Sequence, residues 1–231
     1  MVIYKLIYKK TETIINLTKQ KTMKKLILSV AMLATMTVSY AQEKSEKVKF
    51  GVKAGLNLSS ATVKNTLNSE INTLTGVHFG AFATIPLANK FAFQPELLYS
   101  MQGFKEYLND NGLIYDAKLK LNYISVPLVF QYQFVDKFYA EAGPQFDVLM
   151  SAKASQVYTN TFSNTTITQN NVDVKKVYNG LVMGFNVGAG YHITNNLSAN
   201  VRYHFGISQA DDIDQITTKN KVLQIGLGYS F

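Results

Sequence analysis

From Lys47 onward the chain alternates between apolar and polar positions. In "VKFGVKAGLNLS", Phe50, Val52, Ala54, Leu56 and Leu58 fall on one side of an extended chain, with Lys49, Gly51, Lys53, Gly55 and Asn57 on the other. Successive strand residues point to opposite faces, so this run predicts a strand with one apolar and one polar or small face. "GVHFGAFATI" sets Val77, Phe79, Ala81, Ala83 and Ile85 against His78, Gly80 and Thr84. "FAFQPELLYSMQG" sets Phe91, Phe93, Pro95, Leu97, Tyr99 and Met101 against Ala92, Gln94, Glu96, Ser100 and Gln102. In "KLKLNYISVPLVFQYQF" the phase changes, because Leu119, Leu121 and Tyr123 are odd while Val126, Leu128, Phe130, Tyr132 and Phe134 are even. That change predicts a bulge near Ile124 and Ser125. "FYAEAGPQFDVLM", "LVMGFNVGAGYHI", "LSANVRYHFGIS" and "NKVLQIGLGYSF" bring the alternating segments to eight.

The connections are of two kinds. "PLANK", "VDK" and "TNN" are short, whereas 60–75, 103–117, 152–176 and 208–219 are long, polar and rich in Asn, Thr, Ser and Asp. Short turns at one end and long loops at the other are the pattern of an outer-membrane barrel. The expected fold is therefore all-β: an eight-stranded antiparallel up-and-down transmembrane β-barrel with short periplasmic turns and long extracellular loops. The faces decide between lipid and water outside. A Phe-, Tyr-, Leu- and Val-rich face is too bulky for the inside of eight strands, while the Gly-rich polar face fits there. The bulky face is expected to meet lipid, with Phe91, Tyr132, Phe138, Tyr191, Tyr229 and Phe231 as an aromatic girdle near the short turns.

Composition changes this picture only at the front of the chain. The balance of +8 would suggest an acidic partner, but residues 1–41 hold seven of the 23 Lys+Arg and one of the 15 Asp+Glu, leaving +2 beyond them. A nucleic-acid partner is therefore not expected. "MKKLILSVAMLATMTVSYAQ" pairs Lys24 and Lys25 with an apolar stretch and with Ser39 and Ala41 before Gln42, the form of a Sec signal peptide. The expected organisation is an upstream extension at 1–22, a signal peptide at 23–41, a short periplasmic segment at 42–47 and the barrel at 48–231. A long basic n-region is the other reading of 1–22. With no cysteine there is no disulfide framework and no thiolate metal site.

"FQPELLYS", "YISVPLVFQY", "EAGPQF", "GAGYHI" and "VRYHFGIS" resemble the PorT-like outer-membrane β-barrel proteins, a likeness that covers about 48–231. The resemblance implies an exported integral barrel of the cell outer membrane but does not imply a shared biochemical activity, one branch being associated with protein secretion. The run "QIGLGYSF" looks like an assembly signal, with Gln224, Gly226, Tyr229 and Phe231 in its fixed places, and the barrel-assembly machinery is the expected reader. Outer-membrane lipid is the other expected partner, beside a surface or periplasmic protein of unknown identity.

Candidate chemistry is sparse. His78 and His204 share the inward face, where a metal pair or a His-centred hydrolase stands against plain polar packing. Glycines in "GFNVGAGYH" fall at alternate strand positions with no helix after them, so they form lumen rather than a phosphate cradle. No enzymatic role and no cofactor are expected. Lys53, Glu96, Glu141 and the lone arginine, Arg202, face inward at similar heights on four strands and are expected to form a lumenal charge network that plugs the bore. The expected role is structural or interaction-based, with a closed lumen and loops for surface contacts or a secretion-accessory task. A small-solute or lipid-handling barrel, including a lipid-modifying enzyme, is the alternative.

Overall fold

The computed structural model describes residues 48–64, 70–211 and 217–231. The expected extension at 1–22, signal peptide at 23–41 and segment at 42–47 lie outside the described residues. Nine strands follow in chain order: β1 Lys49–Lys64, β2 Glu70–Ala88, β3 Phe91–Asp110, β4 Leu113–Val135, β5 Phe138–Asn160, β6 Thr165–Asp173, β7 Leu181–His192, β8 Leu197–Gly206 and β9 Thr217–Ser230. Among the described residues a 3-10 turn, Lys175–Val177, precedes β7.

Eight of the nine close a ring in the order β1, β2, β3, β4, β5, β7, β8, β9, with β9 returning to β1 from Gly51 opposite Ser230 to Lys64 opposite Thr217. Every pairing is antiparallel. Closure leaves no free edge within the ring of eight, which is what lets a sheet satisfy its backbone groups inside hydrocarbon; β6 pairs with β5 alone and lies outside that ring. The outward face carries the bulk: Phe50, Val52, Leu56, Phe79, Leu97, Phe130, Phe185, Val201, Ile225 and Leu227 are all exposed. On β4 the outward apolar residues run from Ile124 to Phe134, which at ~3.3 Å per residue and a tilt of ~40° makes a belt about 25 Å tall. Ring pairs Phe91–Tyr132 and Phe138–Tyr191, with centroids 4.7 Å apart in each, line its lower border at the short turns. Tyr229 and Phe231 add a contact at 5.6 Å.

Three sequence expectations need correction. The stretch 103–117 is not a loop, because β3 and β4 stay paired up to Asp110 opposite Leu113. Asn111 and Gly112 alone turn the chain, at φ 43° and 79°, the double left-handed conformation of a tight hairpin. The stretch 152–176 likewise holds the top of β5 and the whole of β6. β6 takes up the β5 edge above Ala152 that β7 covers below Leu149, so the hairpin projects past the ring. Strand also enters 60–75, as far as Lys64 and again from Glu70, and 208–219 from Thr217.

The third correction concerns β4. Its register against β3 is unbroken from Pro95–Leu128 to Asp110–Leu113, so no bulge lies at Ile124 and Ser125. The irregularity is across the way: Asn122 faces Ser151 and Tyr123 faces Leu149, which leaves Met150 of β5 as the extra residue. With its phase kept, β4 turns Leu119, Leu121 and Tyr123 inward, where they are buried.

Candidate functional site

The lumen is filled in layers. At the short-turn end Phe82 of β2 lies across Gly51 and Gly228, and a Cβ on Gly51 would sit 2.4 Å from the Phe82 ring. Only a glycine admits a ring so close to the wall.

Above it lies the charge layer, and the structure brings Lys53, Glu96, Glu141 and Arg202 together. Arg202 is 1% exposed and grips Glu96 with both terminal nitrogens, Nη1 donating to Oε2 at 3.0 Å and Nη2 to Oε1 at 2.8 Å. Its Nε donates to Glu141 Oε1 at 2.7 Å, and Lys53 Nζ donates to Glu96 Oε1 at 2.8 Å. β8 and β3 stand four places apart in the ring of eight, so the Arg202–Glu96 pair is a diagonal across the whole bore. A two-pronged guanidinium suits this task because its planar fork matches a carboxylate. Two cations and two anions balance within the layer, and glutamines finish it. Gln94 Nε2 donates to Glu96 Oε1 at 2.7 Å, and Gln131 Nε2 donates to Gln94 Oε1 at 3.1 Å and to Glu141 Oε2 at 3.4 Å. Thr84 Oγ1 donates to Gln94 Oε1 at 2.9 Å. Buried charge is tolerated when each lone pair and proton is engaged in this way.

The next layer is built of histidines, amides and Asp147. The two inward histidines do not meet, since each is held by a different asparagine. Nδ1 of His78 is 2.8 Å from Asn57 Oδ1, while Asn57 Nδ2 donates to Ser100 Oγ at 3.0 Å and to the Met101 carbonyl at 2.9 Å. Those bonds fix the asparagine amide, so the His78 proton sits on Nδ1. His204 repeats the arrangement with Asn186 Oδ1 at 2.9 Å, Asn186 Nδ2 donating to Gln145 Oε1 at 2.9 Å and Gln145 Nε2 to Asp147 Oδ1 at 2.8 Å. His204 Nε2 stands 3.6 Å from Asp147 Oδ2, beyond hydrogen-bond length. Among the described residues no three metal-ligating side chains gather.

At the hairpin end the filling turns apolar. Ala61, Phe104, Leu119, Leu121, Tyr123, Leu149, Ala152, Val182 and Ala210 form one buried cluster, with Val63, Ile71, Val174 and Tyr178 packed on its rim. The chain folds in to cap it. Asn179 N–H donates to the Ala210 carbonyl at 2.8 Å, Asn179 Nδ2 to the Asp211 carbonyl at 2.7 Å, and Thr218 Oγ1 to Asp211 Oδ2 at 2.6 Å.

The assembly-signal residues take separate places. Gln224 faces inward and donates from Nε2 to Asn57 Oδ1 at 3.3 Å. Gly226 lies beneath His78 and Asn200, Tyr229 faces out, and Phe231 N–H donates to the Phe50 carbonyl at 2.8 Å. Sequence reasoning missed Gln94, Gln131, Asn57, Asn186 and Asp147 as members of these layers, although Gln94, Asn57 and Asp147 share the inward parity of Glu96, Lys53 and Glu141 on their own strands.

Comparison with known proteins adds a family and several similar solved structures. A family model described as outer membrane protein beta-barrel domain matches residues 40–212. Among solved structures, Neisserial surface protein A is similar at 15% identity, over 80% of this chain and 100% of its own, with a TM-score of 0.46. The attachment invasion locus protein Ail of Yersinia pestis is similar at 12% identity over 80% and 100%, with a TM-score of 0.42. OprG of Pseudomonas aeruginosa is similar at 12% identity over 80% and 94%, with a TM-score of 0.37. No curated protein matches the chain.

Proposed function

The chain belongs to the outer membrane protein beta-barrel domain family, and from that premise we propose that it is a sealed barrel of the PorT-like branch with a structural or interaction role rather than an enzymatic one. The observation that carries the reading is the Arg202–Glu96 diagonal, which spans the bore beneath a buried apolar cluster. Eight strands enclose an interior that side chains alone can fill. A barrel closed this way acts through its ends. The paired hairpins β3–β4 and β5–β6 then face outward as contact surfaces or secretion accessories, and the short turns face the periplasm. In the same reading, the barrel-assembly machinery takes Gln224, Gly226, Tyr229 and Phe231 as its signal during insertion.

Conductance across a planar bilayer tests the seal. The wild-type barrel is expected to show no steady open state, and a large constant conductance would contradict the reading. Orientation has its own test, because the chain lacks cysteine. A single Cys introduced as Asn111→Cys should be labelled by a membrane-impermeant thiol reagent on intact cells.

The alternative is a small-solute or lipid-handling barrel, including a lipid-modifying enzyme. Turnover of lipid A by the purified barrel would establish it.

A further inference from the structure

We propose that the outer face of β3, β4 and β5 carries a binding site for the phosphorylated headgroup of the outer-leaflet glycolipid, built from Lys105, Lys118, Lys120 and Lys153. The four are brought together by register. Lys105 stands directly opposite Lys118 across the β3–β4 ladder, and Lys120 directly opposite Lys153 across β4–β5. On β4 and β5 these lysines flank the buried Leu119, Leu121 and Ala152, so they point away from the lumen. They also share a height. The outward apolar positions below them end at Met101 on β3, Ile124 on β4 and Met150 on β5, and the lysines are the first charged groups above that border.

Two like-charged pairs side by side are unfavourable in a sheet, since directly opposed residues lie about 5 Å apart. The structure offers them no internal relief, for no side-chain ammonium of the four has a hydrogen-bond or ion-pair partner among the described residues. The nearest acids are not engaged. Asp173 faces Lys153 across β5–β6, but its Oδ1 accepts the Lys175 N–H at 2.9 Å, and Asp116 lies one outward position beyond Lys118. The contrast with the rest of the molecule is sharp. Lys53 and Arg202 each have a carboxylate within 2.8 Å. On the far side of the barrel, Lys219 and Lys221 stand opposite Thr62 and Ser60 rather than opposite another cation.

An anion bearing more than one charge, held just above the acyl chains, is the ligand this cluster fits. Lys is a compact point charge on a flexible stem, well suited to phosphate and able to reach up from an apolar border. Tyr99, Met101, Ile124 and Val148 beneath it provide the surface for the chains of the same lipid. The assignment to the outer leaflet rests on the orientation proposed above.

The test uses the refolded barrel in mixed micelles, titrated with bis-phosphorylated lipid A, dephosphorylated lipid A and phosphatidylglycerol, with bound lipid read by native mass spectrometry. Changing all four lysines to Gln should weaken lipid A binding by roughly tenfold or more, as removal of several headgroup cations should. Lys219→Gln with Lys221→Gln should leave it within about twofold, and dephosphorylated lipid should bind the wild type no better than lipid A binds the quadruple variant. A heat-shifted gel band confirms folding of each variant, and the pair Lys120→Gln with Lys153→Gln serves if the quadruple change does not refold. Undiminished binding by either variant would overturn the site. Equal affinity for phosphatidylglycerol would overturn the glycolipid assignment. Micelle binding is blind to orientation, so an unlabelled Cys at position 111 defeats the orientation and with it the outer-leaflet assignment, whereas lost selectivity defeats the site itself.

Discussion

The two ends of the lumen are filled by opposite chemistry. Near the short turns the bore is crossed by Arg202, Glu96, Glu141 and Lys53 in direct ionic contact, whereas near the hairpins it is packed with Leu119, Leu121, Tyr123, Leu149 and Phe104. The charged layer holds only as a set, because each member would be a bare buried charge without the others. The apolar layer holds by volume, and each side chain contributes through the space it fills. Removing one residue should therefore have different consequences at the two ends: electrostatic and shared in the first, local and graded in the second.

The largest effect is expected from Arg202→Ala, which leaves Glu96 and Glu141 facing each other with Lys53 as the only cation. Breaking a buried pair of this kind costs about 3 to 5 kcal/mol, to be read from urea unfolding in detergent. Leu121→Ala removes a fully buried side chain from the apolar plug and should cost about 2 to 4 kcal/mol. It should leave the bilayer conductance silent, since the charge diagonal below is untouched. A conducting Leu121→Ala barrel would mean that the plug, and not the diagonal, is the seal.

Outside the lumen the effects shrink. Gly112→Ala forces a side chain into φ 79° and against Thr161 Oγ1 at 2.4 Å, for a penalty of about 1 to 2 kcal/mol. Because the β3–β4 hairpin projects past the ring, the change should show as faster proteolysis near position 112 with the unfolding midpoint almost unmoved. A midpoint lowered by as much as that of Leu121→Ala would tie the hairpin to the plug. Smallest in stability terms is Phe231→Ala, whose ring is three-quarters exposed. It should slow insertion in cells while the inserted barrel keeps its heat-shifted band. Unchanged insertion kinetics would remove the signal reading of residues 224–231.

The same contrast explains what could be read from the sequence. Where the inward face is glycine, charge and amide and the outward face is aromatic or aliphatic, parity alone identifies the wall, as at Lys53, Glu96, Glu141 and Arg202. At the apolar plug the pattern of β4 inverts, with the inward face apolar and the outward face carrying Lys118, Lys120 and Asn122, so Leu119, Leu121 and Tyr123 read as outward residues behind a bulge. Volume, which parity does not report, is what brings them inside. Met150 carries no local mark of an extra residue, because its bulge is defined only against β4. The hairpin turn was present as Asn111–Gly112, a dipeptide suited to paired left-handed conformations, within a stretch whose polarity made it look like loop. β6 is exposed along its whole length and lacks the alternation of a buried strand, so its pairing with β5 follows from chain proximity rather than from a hydrophobic pattern.

The central claim is that a diagonal ion pair seals the bore, and a charge-reversal cycle tests it most directly. Arg202→Glu, Glu96→Arg and the double change would each be measured for urea stability and for conductance in a planar bilayer. The account predicts that both single changes destabilise the barrel and open it to ions, and that the double change recovers a substantial part of the stability and closes the bore again. Two single variants as stable and as silent as wild type would show that these residues are merely wetted by the lumen and that the seal lies elsewhere.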